Sequence, residues 1–135
     1  MKTLYIVVPC YNEEEVIRET QKRLNAKLST LINNEIILPN SKVIFVDDGS
    51  KDDTWQIINE IHKNDNLFLG LKLSRNRGHQ NALLAGLMCA KDYADIVISM
   101  DADLQDDIDA IDFFIKANYE GNDIVYGVRS KRDKD

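Results

Sequence analysis

Proline and glycine are scarce in these 135 residues, at two and six, and there are two cysteines and one tryptophan. So little Pro and Gly excludes a collagenous, linker-like or low-complexity chain. Cys10 and Cys89 fit neither a metal-ligand spacing nor a disulfide framework, so a reducing, cytoplasmic setting is expected. No apolar run reaches about 18 residues, so no transmembrane segment is expected. No secretory n-region precedes the cysteines. Positive charge is also short, with 17 Lys and Arg against 23 Asp and Glu and a net charge of −6. A nucleic-acid partner would need the opposite sign, and none is expected.

What is present is a globular composition, 44% apolar and 30% charged. The length suits one domain, which buries roughly two-thirds of the unfolded surface and needs neither disulfide nor metal for its core. The final stretch, Arg129 to Asp135, carries no helix pattern or cap, an ending expected of a domain cut from a longer protein.

Short β-rich runs alternate with helical patterns. Leu4–Val8 is an uninterrupted apolar run of strand length, as in a strand buried on both faces. Residues 13 to about 31 read as a helix, with Ile17, Leu24, Leu28 and Leu31 on one face. Lys42–Val46 is a second strand. Asp53 with Gln56 has the form of a capping box, opening a helix through Trp55, Ile58 and Ile61. Leu67–Leu73, Asp95–Met100 and Asp123–Val128 are further strands. Between them Asn81–Lys91 is a helix, and Ile108, Ile111 and Ile115 mark another that Gly121 can end. Five strands separated by four helices predict an α/β domain with a parallel, doubly wound sheet. Trp55 and the two cysteines read as core residues, and His62 as a surface residue.

Ligands of such sheets bind beyond the carboxyl ends of the strands, where strand order reverses. The unusual residues fall there. Asp101 and Asp103 follow the fourth strand, and residues two apart in extended backbone face one side. Six Asp lie between positions 101 and 112, a repulsive cluster that a hard divalent ion, Mg²⁺ or Mn²⁺, would relieve. Gln105 offers a carbonyl oxygen to the same point, whereas Asp106 and Asp107 read as acids serving a helix N-terminus. Asp47 and Asp48 follow the second strand, and one of them can accept base N–H groups, while Gly49 and Ser50 read as turn. In the first loop Tyr11 can stack on a base and Glu13 can bind a ribose hydroxyl, or the acids can simply favour the helix N-terminus. Arg75 and Arg77 suit a diphosphate, or equally the neighbouring Asp clusters, and His79 can join them or stand as a surface histidine.

Taken in order, Ile6–Glu14, Val46–Ser50, Asp53-Thr54, Ser74–Asn76, Gly78–Gln80, Ser99–Gln105 and Val125–Arg129 resemble the family 2 glycosyltransferases. The Gly-His-Gln and Asp-Ala-Asp-Leu-Gln pieces resemble the branch of dolichol-phosphate mannose synthase and the bacterial undecaprenyl-phosphate glycosyltransferases. The sequence departs from many of them at Asp107, where Pro is common, and at Arg77, where Phe is common.

The resemblance implies a GT-A fold, a three-layer sandwich around a mainly parallel sheet, with residues 1–135 forming its nucleotide-sugar-binding part. It implies that Pro9, Tyr11, Glu13, Val46 and Asp48 hold the nucleoside. Asp101, Ala102, Asp103 and Gln105 would surround the diphosphate and metal, Arg129 would approach the diphosphate or the acceptor phosphate, and Arg75 joins the expected nucleotide-sugar-binding residues for its charge. Asp103 and Gln105, with Asp101, would ligate Mg²⁺ or Mn²⁺, and Asp101 and Asp103 are the catalytic candidates. The implied reaction is inverting transfer from a nucleotide-diphospho-sugar, UDP favoured over GDP, to a lipid phosphate of the polyprenyl class at the cytoplasmic membrane face. The rival from another class is a receiver-like acidic metal-binding signalling domain, which shares five strands and an Asp-Asp pair. Its acidic pair, however, belongs after the first strand, where this chain has Pro9-Cys10-Tyr11-Asn12.

Overall fold

The computed structural model describes residues 1–103 and 108–121. The chain runs β1 (Leu4–Cys10), α1 (Ile17–Asn33), β2 (Lys42–Asp47), α2 (Thr54–Asn64), β3 (Phe68–Lys72), α3 (His79–Ala90), β4 (Ile96–Ser99) and α4 (Ala110–Tyr119). The strand expected over 123–128 lies outside the described residues.

All four strands are parallel, in the order β3-β2-β1-β4. The sheet grows outward from β1 through β2 to β3, then restarts on the other side of β1. Right-handed crossovers in opposite directions place their helices on opposite faces. The core divides accordingly. Leu4, Ile6 and Val8 of β1 pack with Ile17, Leu24 and Leu28 of α1, Ile58 of α2 and Ile111 of α4. Tyr5, Val7, Ile44 and Val46 pack with Ala82 and Ala90 of α3. Three layers result, with β1 buried along its whole length because helices cover both its faces. The strand order also separates this fold from a receiver, whose sheet runs 2-1-3-4-5.

The α3 layer sits close to the sheet. Ala82, Gly86 and Ala90 form its buried stripe, and a Cβ at Gly86 would lie 2.3 Å from Val7 Cγ1. Cys89 is off that stripe and exposed, against the expectation that both cysteines are core, whereas Cys10 is buried. Trp55 is only half-buried. It packs against the core edge, and the Lys72 ammonium lies 5.7 Å from its ring centroid. His62 is on the surface, its Nδ1 donating to the Phe68 carbonyl at 2.8 Å.

The helix starts differ in detail from the sequence pattern, and α3 opens at His79, two residues ahead of the expected Asn81. α1 begins at Ile17, because Asn12 has φ +53 and residues 13–16 make a turn in which Val16 and Ile17 N–H groups meet the Glu13 carbonyl. α2 does follow Asp53, but the Asp53 side chain makes no cap bond. Asp52 takes that part, its carboxylate accepting from the Thr54 amide at 2.9 Å and from the Thr54 hydroxyl. Among the described residues no helix is long and apolar enough to cross a membrane.

Candidate functional site

The loops after β1, β2, β3 and β4 leave the same edge of the sheet, since the strands are parallel. The reversal of strand order falls between β1 and β4, so the loops carrying Tyr11 and Asp101 flank the crevice.

The first two loops are tied together by backbone-to-side-chain bonds. Asn12 N–H donates to Ser50 Oγ at 2.9 Å, and Lys51 N–H returns to Asn12 Oδ1 at 2.8 Å. Glu13 N–H donates to Thr54 Oγ1 at 2.9 Å, Glu14 N–H to Asp52 Oδ2 at 3.3 Å, and Asp53 N–H to Glu14 Oε1 at 2.9 Å. These bonds hold Tyr11, which is 37% exposed, and half-buried Glu13 on the rim. Burial raises the pull of protons to Asp52, but the bonds from Thr54 and Glu14 outweigh it and hold its carboxyl below the usual range.

Asp47 and Asp48 are buried, at 1% and 3% exposed. Asp48 Oδ1 accepts the Arg77 N–H at 2.7 Å, which ties the third loop to the second. Asp47 Oδ1 accepts the Ser50 N–H at 3.4 Å. Its Oδ2 is buried and meets no hydrogen-bond donor among the described residues. Gly49 lies at φ +71 directly against the third loop, where a Cβ would meet Asn76 N at 2.3 Å and the Arg75 carbonyl carbon at 2.4 Å. Arg75 and Arg77 themselves are exposed on this rim.

Past β4, Asp101 and Asp103 are half-buried around a buried Ala102, whose carbonyl accepts the Thr20 hydroxyl at 2.5 Å. His79 opens α3, and its Nε2 lies 3.7 Å from Asp101 Oδ1, an ion pair when the imidazole is protonated. Two hard carboxylates after one strand fit Mg²⁺ or Mn²⁺, ions held by one or two carboxylates and completed by substrate phosphates. Among the described residues no group of three or more His, Cys, Asp or Glu gathers at one point. Gln105 and Arg129 lie outside the described residues.

Two expected site residues lie inside the sheet. Pro9 and Val46 face each other within the sheet and are both buried. Val46 is fully buried against Gly86 of α3, where a Cβ would lie 3.0 Å from its Cγ2. Cys10 stands close by, and burial, with the charges of Glu13 and Asp47, pushes its thiol well above 9.0.

The structure also gathers two residues the sequence pattern did not single out, Thr20 and Asp52, and gives the hydroxyls of Ser50 and Thr54 bonds that the pattern did not assign. Thr20 had a signal, for it is a polar residue at helical spacing among Ile17, Leu24, Leu28 and Leu31.

A family model described as Glycosyl transferase family 2 matches residues 5–135. The chain belongs to glycosyl transferase family 2. It is 53% identical over 132 residues to the uncharacterized glycosyltransferase YkoT of Bacillus subtilis (strain 168), covering 98% of this chain and 39% of that protein. It is 39% identical over 130 residues to a prophage bactoprenol glucosyl transferase homolog of Escherichia coli (strain K12), covering 96% and 40%. The chain thus spans about two-fifths of the length of these curated relatives. Among solved structures, the mannosyltransferase PcManGT from Pyrobaculum calidifontis, in complex with GDP-Man and Mn²⁺, superposes with TM-score 0.57 at 26% identity, covering 76% of this chain and 28% of that one. S. aureus TarS 1-349 in complex with UDP superposes with TM-score 0.56 at 26% identity, covering 75% and 27%. The fold is therefore the GT-A fold of family 2, and the receiver reading is set aside.

Proposed function

We propose that this chain is the donor-binding part of an inverting glycosyltransferase. It takes a nucleotide-diphospho-sugar, UDP in preference to GDP, and the sugar passes to a lipid phosphate of the polyprenyl class. The observation that carries this reading is the convergence on one rim of Asp48 after β2 and Asp101 and Asp103 after β4, on either side of the strand-order reversal. Relatives named for bactoprenol support the acceptor class, and neighbours solved with UDP or with GDP-Man and Mn²⁺ support the donor class. A place at the cytoplasmic face of the membrane belongs to the same proposal, as the site at which a lipid phosphate would be met.

Each residue has a task that follows from its chemistry. Tyr11 offers its exposed ring to the base, and Asp48, a carboxylate with several acceptor positions, takes base N–H groups. Glu13 receives the ribose hydroxyls. Pro9 and Val46, both buried, keep the ends of β1 and β2 in register beneath the base. Arg75 and Arg129 supply positive charge to the diphosphate. Asp101, Asp103 and Gln105 would hold Mg²⁺ or Mn²⁺, which when bound supplies Lewis-acid charge to the departing diphosphate. A lipid phosphate arrives already anionic, so the chain needs no strong general base to activate it. Attack from the face opposite the leaving group inverts the anomeric centre.

Calorimetric titration of UDP and GDP, with Mn²⁺ and then with EDTA, tests this on the wild type and on Asp103→Ala. UDP binding that Mn²⁺ strengthens, with that gain lost in the variant, is the expected result. A folded wild-type protein that binds neither nucleotide would end the proposal.

A further inference from the structure

Two buried threonine hydroxyls stand behind the two halves of the rim, and neither is expected to touch a ligand. Thr20 is 1% exposed on the apolar stripe of α1. Its Oγ1 lies 3.2 Å from the Val16 carbonyl of its own helix, but closer, at 2.5 Å, to the Ala102 carbonyl from 82 residues away. That carbonyl belongs to the peptide plane joining Ala102 to Asp103. Fixing the plane fixes the Asp103 N and Cα, the point from which its side chain departs.

Thr54 is 0% exposed at the first position of α2. Its hydroxyl accepts the Glu13 N–H at 2.9 Å while donating to the Asp52 carboxylate. Asp52 in turn receives the Glu14 N–H. Glu13, held by this amide bond, opens the turn that its carbonyl closes with the Val16 and Ile17 N–H groups, directly after Asn12, whose φ of +53 is a conformation L residues seldom adopt. The hydroxyl therefore uses both its donor and its acceptor to hold the segment bearing Tyr11 and Glu13. No apolar side chain can replace either bond.

We infer that Thr20 and Thr54 are positioning residues with separate charges. Thr20 orients the metal and diphosphate half through Ala102, and Thr54 orients the nucleoside half through Glu13. The inference rests on the proposed nucleotide-sugar reading. Residues that only stabilised the fold would weaken all binding together, whereas these two should separate.

The test is calorimetric titration of UDP into the full polypeptide, with EDTA and with MnCl₂, for Thr20→Val, Thr54→Val and the two Thr→Ser variants. Affinity in EDTA reports the nucleoside half, and the gain on adding Mn²⁺ reports the other. Thr54→Val should weaken UDP in EDTA by about fivefold to tenfold, the worth of one ordering hydrogen bond, and leave the gain unchanged. Thr20→Val should leave the EDTA affinity unchanged and cut the Mn²⁺ gain by a similar factor. Serine should restore each. Where a valine variant does not fold by thermal melting, alanine takes its place and is judged by the same two quantities. Parallel losses in both quantities for both variants, or serine behaving as valine, would overturn the inference alone. A wild type that binds no nucleotide would overturn the underlying reading and this inference with it.

Discussion

Gly49→Ala is the substitution whose cost can be worked most directly from the geometry. At φ +71 an alanine pays about 1–2 kcal/mol for left-handed backbone. Its Cβ would also sit 2.3, 2.4 and 2.9 Å from Asn76 N, Arg75 C and Arg75 Cα, all backbone atoms, so no side chain can swing away. The 75–77 segment must withdraw by about 1 Å to reach ordinary contact. That movement breaks the 2.7 Å bond from Arg77 N–H to the buried Asp48 carboxylate. A hydrogen bond to a charged group is worth about 1.5–3 kcal/mol, so the whole effect is about 2.5–5 kcal/mol. Urea unfolding would read it as a lower midpoint at unchanged slope. A double-mutant cycle with Asp48→Ala sharpens the test, because both substitutions abolish the same bond. The double variant should cost less than the two singles added, by about 1.5–3 kcal/mol. A loss under about 1 kcal/mol for Gly49→Ala, or additivity within about 0.5 kcal/mol, would refute the reasoning.

Two further outcomes follow from the same structure. A thiol reagent added to the native protein should label Cys89 quickly and Cys10 only after denaturation, since Cys89 is exposed while Cys10 is buried with its pKa pushed up. Equal rates for both thiols would contradict the placement of β1. Asp52 has a folded pKa below its ordinary 3.8, so the stability it contributes is complete above that value and is lost as pH falls through the depressed one. Acid unfolding of Asp52→Asn should accordingly differ most from wild type above about pH 4 and converge with it in stronger acid. A difference that grows with acidity would reverse the sign of the argument.

The elements were legible because each carries its own periodic signal. The four α1 residues at helical spacing, Ile17, Leu24, Leu28 and Leu31, are all buried, and the apolar run from Leu4 is buried on both faces. Burial was less legible where it depended on a neighbour. Cys89 looked like a core residue by type, but the close approach of Gly86 to Val7 fixes which stripe of α3 faces the sheet, and Cys89 is outside it. The capping box failed in detail for a similar reason. Asp53 stands where the spacing places it, yet its amide is engaged by Glu14 from another loop, and Asp52 bonds the first turn instead.

The sequence alone determined the order of strands and helices, the family, and which loops hold the chemistry-bearing side chains. Those properties are local patterns or ordered motifs, readable along one dimension. Tertiary structure decided what faces what. Parallel pairing of β1 with both β2 and β4 brings Asp48 and Asp101 to the same rim, though they stand 53 positions apart in the chain. The same packing buries Val46 beneath α3 and carries Thr20 to the Ala102 carbonyl. Hydrogen bonds and close contacts act over a few ångströms, whatever the separation in sequence, so no spacing rule could have supplied those partners.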